Sequence, residues 1–446
     1  MKQIITLMSI FVTAFILMSC SAGRYPYPTH DLGQEDWRGM IETDANRWAL
    51  KADQWFLAGG PSPSAIANQQ ATYGEAISRE TVRVSNFNTI RVNGDFQVQI
   101  VGSPYTDSVT IEGPNAKVRA IDVTVSNNGV LCITQLKKAP PGMGQVIVRI
   151  CIKQLHRLEH NGTGNVEGIR LNSNNLQVVA SGCSNIFLAG HLNVTRIIAR
   201  GPGTVNIFTI DSNDTEIQTS GNGSVNLSAR RAVWLRSITH YGTGNVNVIG
   251  ARSRHLMINT SGSGKIGISG HVSVKEIRAS GKTYVFIENS TSDMPCIYVY
   301  DNAQVGIAGR AGIFSGYTTR NSRLWARYLL AHTSYLEASG TSHMNVYATD
   351  KVFATVSDYA TIYYYGDPAI LTPFERNYGT VINMGTPNTQ FEVITRRRSP
   401  SQAPRRISSH YMPTRIKMGL NERHDPAQYL MRKNLLVQLP DDQRYV

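Results

Sequence analysis

The chain has 446 residues, of which 17% are charged and 41% hydrophobic, with a formal net charge of +13. No stretch after residue 20 is apolar for long enough to span a bilayer, which excludes a polytopic helical membrane protein. The excess of Lys and Arg over Asp and Glu favours anionic partners. The export signal at the start of the chain argues against nucleic acid as one of them.

Residues 1–19 have the layout of a lipoprotein signal peptide. One basic residue precedes an apolar run from Ile4 to Met18 that is too short for a spanning helix. The run ends at Ser19-Cys20, which resembles the lipobox of bacterial lipoproteins and implies acylation, as by palmitate, of the Cys20 thiol. Ser21 stands where Asp would favour the inner membrane, so we expect outer-membrane localisation, on either leaflet. An ordinary secreted protein is the alternative.

Residues 20–80 are expected to form a linker that contains one amphipathic helix. The segment from Asp36 to Leu57 holds Trp37, Trp48 and Trp55, and a Gly-Gly-Pro sequence of the kind that ends helices follows it. Such a helix suits a lid on the first turn of the fold that follows, because exposed sheet edges promote association. Docking of a partner protein is the alternative role.

Residues 81–155 alternate apolar and polar side chains, as in the segment from Ile90 to Ile100, and this alternation predicts strands. We interpret them as the first rungs of the following repeat or as an N-terminal β cap. Cys132 and Cys151 lie in two such strands and are expected to be either buried free thiols or a disulfide.

A short turn that usually contains glycine recurs between residues 156 and 386. The first glycine of each turn, or its replacement, returns every 18–21 residues. A period near 20 fits leucine-rich repeats or a β-solenoid, so the residues inside the repeat must distinguish them. The recurring positions, called corner positions below, are Gly162, Gly182, Gly201, Gly221, Gly242, Gly262, Gly281, Asp301, Arg320, Gly340, Asp358 and Asn377.

The residue four places after each corner position is apolar in every repeat, from Val166 to Val381. The next residue is mostly polar or glycine, so Val246 is expected to point into a core and Asn247 to face solvent. We expect the glycines of both turns to supply positive φ. A second turn, eight residues after the corner position, is predicted at Gly190, Gly250, Gly270, Gly309, Gly366 and Gly385.

These patterns predict an all-β fold, a single-stranded parallel β-helix (β-solenoid) of about 12 or more rungs over residues 156–386. One rung is too small to bury its apolar face alone, and stacking the rungs builds one continuous core. A short N-terminal helical segment and an irregular basic C-terminal tail flank the solenoid. Right-handed and left-handed coils fit the pattern equally.

The motifs of this region resemble those of a known family. The segment from Phe87 to Val92, the strand from Gly129 to Ile133 and the repeated Ser-Gly-Ser-Gly turns are similar to the head GIN domain of auto-transporter adhesins. The resemblance covers residues 82–385 and implies a β-helical envelope domain with a role in binding or adhesion. The chain departs from the family pattern at those later corner positions where other residues replace glycine.

The C-terminal tail, residues 387–446, is basic and interrupted by prolines. From residue 396 onward it has 11 Lys and Arg against 4 Asp and Glu, which is +7 of the net +13. This composition is typical of a solvated arm. The residues predicted to contact an anionic envelope component or an acidic protein partner are Arg396, Arg397, Arg398, Arg405 and Arg406.

Two motifs that suggest enzymes do not have the secondary structure they need. The segment from His156 to His160 matches the HxxEH pattern of zinc peptidases, but that pattern requires a helix and here it follows a strand. The segment from Gly262 to Gly267 spells GxGxxG without a helix after it. No metal site, cofactor or catalytic residue is predicted.

A binding surface is predicted along the corner positions of the later rungs, where aromatic and charged residues cluster. Asp301 and Arg320 fall on adjacent rungs and are expected to form a surface ion pair. Together with Asp358 they are also the best candidates for a polysaccharide-active site. The residues of the predicted surface are Tyr300, Asp301, Arg320, Trp325, His343 and Tyr359.

Three functions fit the sequence. The first is a non-catalytic, lipid-anchored cell-envelope protein for binding or adhesion. The second is an accessory outer-membrane lipoprotein of an envelope-spanning assembly, such as a secretion system. The third is a polysaccharide-active β-helix enzyme. The first is favoured, because a column of corner residues is weak evidence for clustered catalytic carboxylates.

Overall fold

A computed structural model describes residues 77–105, 107–136 and 146–385. These ranges contain 22 β-strands and a single short helix, α1 (Asn115–Val118). Within them, no helix has the length and apolar character needed to cross a bilayer. The predicted lipidation site Cys20, the tryptophan-containing helix and the basic tail lie outside the described residues.

The strands run in chain order as β1 (Ile77–Val82), β2 (Thr89–Gly94), β3 (Gln97–Gly102), β4 (Ser108–Pro114), β5 (Ile121–Val125), β6 (Val130–Gln135), β7 (Ile147–Ile152), β8 (Arg157–Gly162), β9 (Val166–Ala180), β10 (Ile186–Ala199), β11 (Val205–Thr219), β12 (Val225–Gly242), β13 (Asn245–Gly262), β14 (Lys265–Ala279), β15 (Tyr284–Ser292), β16 (Cys296–Val299), β17 (Gln304–Thr318), β18 (Arg323–Ala338), β19 (His343–Val356), β20 (Thr361–Tyr365), β21 (Ile370–Glu375) and β22 (Thr380–Asn383).

The first rungs are stacked out of chain order. Strands β2 and β3 form one rung, which pairs in parallel with β6 and β7 on one side and with β8 and β9 on the other. Strands β1 and β4 extend the β7 edge with antiparallel pairing, and β5 is antiparallel to β6. Residues 81–155 therefore contain both rung strands and an antiparallel end layer, in which Ile111 and Val118 are buried.

From β9 onward, each rung stacks in parallel on the next. Strands β9 to β14 pair consecutively, and later rungs continue this register through β17, β18 and β19. The described residues make about 11 turns with a period near 20 residues, which confirms the predicted parallel β-solenoid.

The column four places after the corner positions forms the core. Eleven of its twelve side chains, from Val166 to Ile362, are fully buried, and Val381 in the last rung is partly buried. Parallel register places each side chain over its neighbour, as Val225 lies beside Val246. Because burying one such side chain contributes about 1.5–3 kcal/mol, this column is a major source of the stability of the fold.

The adjacent column contains a ladder of asparagines. The amide of Asn247 donates to Asn226 Oδ1 at 3.1 Å, and the amide of Asn226 donates to Asn206 Oδ1 at 2.8 Å. Asn247 is only 2% exposed, so the expectation that it faces solvent is wrong. Amides stacked at the rung spacing bond to one another and shield one another from water.

The corner positions carry two kinds of turn. Gly182 lacks a positive φ, but a Cβ there would lie 1.9 Å from the carbonyl oxygen of Gly162 in the preceding rung. Close backbone stacking, rather than backbone conformation, therefore requires glycine in the early rungs, which corrects the sequence expectation. From Gly262 onward the corner positions have positive φ, as expected, with glycine at 72–112° in Gly262, Gly281 and Gly340. Other residues have it at 54–61°, namely Asp301, Arg320, Asp358 and Asn377.

The second turn lies eight residues after the corner positions, as predicted. All six glycines named for it have positive φ, between 69° and 151°. Arg170, Thr209 and Asn289 take the same place in other rungs and also have positive φ. The turn is therefore set by its place in the repeat, and glycine is the residue that adopts it with least strain.

Cys132 and Cys151 are free thiols. Cys132 lies opposite Arg91 on β6, whereas Cys151 lies opposite Val101 on β7. The disulfide alternative is therefore wrong: the two thiols are not bonded, and they lie on strands β6 and β7, which do not pair with each other. Both thiols are partly rather than fully buried.

Candidate binding surface

The predicted surface residues follow one corner of the solenoid. Tyr300 and Asp301 come directly after β16, Arg320 precedes β18, His343 begins β19, and Tyr359 precedes β20. The side chains of Asp301 and Arg320 form the expected ion pair between adjacent rungs.

Trp325 is separated from this corner. It lies in β18, five residues past Arg320, on the strand arm that leaves the corner. Its register partners are Gly306 and Asn345 on the neighbouring rungs. Trp325 therefore lies two positions beyond the column of Arg323 and His343, in the column that contains Asn345 and Tyr363.

The two aspartates of the corner bind the backbone of the preceding rung. Asp301 Oδ2 accepts a hydrogen bond from the Gly281 N–H at 3.1 Å, and Asp358 Oδ2 accepts one from the Gly340 N–H at 3.0 Å. Aspartate tolerates the left-handed conformation because its short side chain can bond locally. These carboxylates thus stabilise the turns in which they lie, by accepting hydrogen bonds from the backbone of the preceding rung.

The same geometry disfavours a glycoside hydrolase site at this corner. Asp301 and Asp358 are three rungs apart in the corner column, which corresponds to roughly 14 Å. Paired catalytic carboxylates of such enzymes lie about 5–10 Å apart. Among the residues that the structure describes, no group of three or more His, Cys, Asp or Glu is arranged to hold a metal ion.

In the structure, further aromatic side chains lie beside the predicted Tyr300 and Tyr359 and extend the surface. They lie in outward columns on both sides of the corner, and their 18–20-residue spacing was the signal that could have identified them. This set, called the aromatic corner, consists of Tyr298, Tyr300, Tyr317, Tyr335, Phe353, Tyr359 and Tyr378.

The rings of the aromatic corner stack from rung to rung. Tyr298 and Tyr317 are register partners, so their ring centroids lie 4.8 Å apart with an interplanar angle of 14°. Tyr300 continues this group, with its ring 6.4 Å from that of Tyr298. The parallel strand register therefore produces the stack directly, because the rung spacing is close to the stacking distance of aromatic rings.

Two further pairs extend the aromatic corner. Tyr335 stacks on Phe353 at 5.0 Å, and Tyr359 stacks on Tyr378 at 4.9 Å. Tyr335, Tyr359 and Tyr378 are 46%, 64% and 70% exposed. Large aromatic side chains that remain this accessible combine apolar contact area with a hydroxyl for hydrogen bonding, which is the character of binding surfaces.

The aromatic corner is nearly uncharged at neutral pH. A hydrogen bond with Cys296 raises the pKa of Tyr298 to about 12, and burial raises the pKa of the Cys296 thiol. The Arg278 guanidinium lies 5.3 Å from the centre of the Tyr298 ring and is held by Glu276 at 2.8 Å. This ion pair borders the tyrosines, as does the ion pair of Asp301 with Arg320, and the carboxylate of Asp358 lies next to Tyr359.

His343 is a neutral neighbour of this surface. Its ring stacks on Tyr363 at 6.5 Å, and burial together with the nearby charge of Arg323 lowers the pKa of His343. The corner as a whole can offer ring edges, hydroxyl groups and one neutral imidazole to a partner. Such groups suit a protein or a sugar surface.

Comparison with a family model gives two overlapping matches in this chain. Residues 86–251 and 234–368 match the family described as "Putative auto-transporter adhesin, head GIN domain". The matched residues span more than half of the chain. No curated protein shows significant similarity.

Several solved structures share a distant similarity. One is described as a "putative adhesin" from Bacteroides fragilis, with 16% identity, a TM-score of 0.27, and coverage of 69% of this chain and 97% of that chain. A "putative lipid binding protein" from Parabacteroides distasonis has 14% identity, a TM-score of 0.25, and coverage of 70% and 98%. A "putative adhesin" from Parabacteroides merdae has 15% identity, a TM-score of 0.21, and coverage of 70% and 97%.

Proposed function

Because this chain belongs to the head GIN domain family of auto-transporter adhesins, we propose that it is a non-catalytic, adhesion-type protein of the cell envelope that binds its partner through the aromatic corner. The observation that carries this proposal is the run of exposed, rung-stacked tyrosines. A parallel solenoid stacks identical backbone at each rung, so it presents such side chains on a rigid support. Rigid aromatic contacts lose little conformational entropy on binding.

The proposal includes a lipid anchor at Cys20 and an outer-membrane location. Its support is the lipobox-like end of the signal sequence and the serine that follows the cysteine. Stable anchoring requires more than one acyl chain, which is what a modified N-terminal cysteine would carry. Replacement by Cys20→Ser should release the protein from the membrane fraction or leave it unprocessed. A processed variant that still needs detergent for extraction contradicts the anchor.

The basic tail forms a separate part of the proposal. From residue 396 onward, its eleven cationic residues against four anionic ones would hold an anionic component of the envelope by charge. Binding of this kind is sensitive to salt, whereas contacts of the uncharged aromatic corner are not. The two modes of binding can therefore be separated by ionic strength.

The role of the aromatic corner is tested by the double substitution Tyr335→Ala/Tyr359→Ala in cells that display the full-length protein. We expect adherence of the cells to a target surface to fall at least about tenfold, because truncation of a hot-spot residue, a class enriched in tyrosine, costs about 2 kcal/mol or more.

The matched control is Tyr105→Ala/Tyr241→Ala, which removes two tyrosines that are 85% and 50% exposed and do not belong to the aromatic corner. Tyr241 lies on the same edge of the solenoid, three rungs before Tyr300. Display levels are compared with an antibody, and secondary structure by circular dichroism. Unchanged adherence of the first variant, or equal loss in the control, contradicts the proposal.

A further inference from the structure

A second candidate surface lies on another side of the solenoid, after the second turn of the middle rungs. It is formed by Trp234, Arg252, Arg254 and Lys275 and is called the Trp234 patch. These residues belong to β12, β13 and β14, three consecutive rungs that pair in parallel. The aromatic corner is built mainly from β16 to β20 and so occupies different rungs.

Strand alternation directs these side chains outward. Val233 and Leu235 are buried, so Trp234 between them points away from the core and is half-buried. Trp234 is the register partner of Arg252 on the next rung. Arg252 and Arg254 flank Ser253, whose hydroxyl points inward and donates to the Leu235 carbonyl at 2.7 Å. Both arginines are exposed.

The indole and a guanidinium lie together in the patch. The guanidinium carbon of Arg254 is 5.6 Å from the centre of the Trp234 ring, within the range of a cation–π contact. In this contact the guanidinium of Arg254 lies over the ring of Trp234. An apolar ring thus lies beside the charged groups of two arginines.

The charges of the patch are not neutralised. On the rung of Trp234, Arg231 pairs with Asp211 at 3.7 Å, and Arg236 pairs with Asp214 at 3.4 Å. By contrast, Arg252, Arg254 and Lys275 make no ion pair in the part of the chain that the structure describes. Three cations within two rungs, which are about 5 Å apart, produce a local positive potential beside the tryptophan.

We propose that the Trp234 patch is a binding site for an anionic polysaccharide. The two arginines can each bind a carboxylate, sulfate or phosphate group through paired N–H donors. The half-buried indole offers apolar surface beside the Arg254 guanidinium against which a sugar ring can pack. An anionic membrane surface could use the same charges and the same tryptophan, so anionic vesicles are the comparison ligand in the test. The site goes beyond the adhesion surface proposed above, because it lies on other rungs and recognises charge.

Binding of the purified full-length protein is measured to polygalacturonate as the carboxylated probe and to dextran as the neutral one. The substitution Arg252→Ala/Arg254→Ala should weaken binding to polygalacturonate at least about tenfold, since charge-assisted contacts are the stronger class of hydrogen bond and two are lost. Dextran should bind neither form. The matched control is Arg79→Ala/Arg200→Ala, which removes two exposed arginines elsewhere and the same net charge.

Trp234→Ala is tested on polygalacturonate and on phosphatidylglycerol vesicles. Loss of polysaccharide binding with retained vesicle binding supports the proposal. It is overturned if the arginine variant binds polygalacturonate as the unaltered protein does, or if the control loses as much affinity. Equal polysaccharide binding by the Trp234→Ala protein also overturns it and assigns the arginines to non-specific charge attraction. Circular dichroism of each variant verifies that the solenoid is folded.

Discussion

The Nδ1 atom of His160 lies 2.8 Å from the hydroxyl oxygen of Ser184, which belongs to the next rung. Both side chains are almost completely buried inside the corner. Burial lowers the pKa of His160 from its usual 6.5 to about 4, because the interior disfavours the imidazolium. The folded protein therefore contains a neutral histidine at neutral pH, and burial lowers the pKa of His240 in the same way.

Acid should destabilise the solenoid through His160. The unfolded chain binds a proton near pH 6.5 and the folded chain only near pH 4, so stability is full above pH 6.5 and falls as the pH drops between these values. The loss approaches about 3 kcal/mol at pH 4, since one pKa unit corresponds to about 1.4 kcal/mol. Urea unfolding of the His160→Gln protein from about pH 7.5 to about 4.5 should show a flatter pH dependence.

The control for this measurement is His255→Gln, which alters an exposed histidine. Its pH profile should follow that of the unaltered protein. The interpretation of His160 is wrong if both variants have the same slope over that range of pH.

Val246→Asp should unfold much of the solenoid. The side chain of Val246 is completely buried between Val225 and Ile266 of the adjacent rungs. An unpaired carboxylate in that place costs several kcal/mol, and stacked rungs depend on their neighbours. We expect a lower unfolding midpoint, or loss of the β signal in circular dichroism. A variant as stable as the parent would mean that the inward column is misplaced.

Asn247→Asp should also destabilise the fold, although less than the change at Val246. The amide of Asn247 donates to Asn226, and a carboxylate would remove that donor and face an oxygen instead. Loss of a buried hydrogen bond costs about 1–3 kcal/mol. Asn174→Asp, at an exposed position of β9, is the control and should change the unfolding midpoint little. Equal stability of the two variants would show that the ladder does not contribute.

Gly182→Ala and Arg320→Gly should differ although both alter corner positions. A methyl group added at Gly182 would meet the Gly162 carbonyl oxygen at 1.9 Å, and overpacking of this kind costs about 1–3 kcal/mol or more. Arg320 already has a φ of 60°, and its ion pair with Asp301 is largely exposed, so glycine there should change stability by no more than about 1 kcal/mol. Thermal unfolding of both proteins measures the difference. If Arg320→Gly lowered the unfolding temperature more than Gly182→Ala, the distinction between the two kinds of turn would be wrong.

Deletion of residues 396–446 should remove salt-sensitive association with anionic envelope components. The full-length protein should lose that association as the Debye length falls from about 10 Å at 0.1 M salt to about 3 Å at 1 M, while the truncated protein responds little. The solenoid should keep its unfolding temperature, because the last described strand ends at Asn383 and repeats depend mainly on their neighbours. Co-sedimentation with envelope fragments measures the association. Melting of the truncated protein would identify the tail as a packed cap instead.

The sequence was sufficient to predict the repeat, the inward column and the second turn. Each depends on residues close in the chain: Val246 belongs inside because the apolar positions alternate with polar ones, and Gly250 marks a turn because it returns at a fixed interval. The ion pair of Asp301 and Arg320 followed from the same period, since residues one period apart become neighbours when rungs stack in parallel.

Only the tertiary structure decided what depends on packing between rungs. The glycine at Gly182 is required by a backbone atom of the preceding rung, which no local pattern reveals. Asn247 is buried because other amides cover it, whereas alternation alone places it in solvent. The rung of β2 and β3 lies between β6–β7 and β8–β9. This stacking order differs from the order of the strands along the chain, so it could not be predicted from the sequence. Periodicity determines the side of a strand on which a residue stands, and the neighbouring rungs determine what it contacts there.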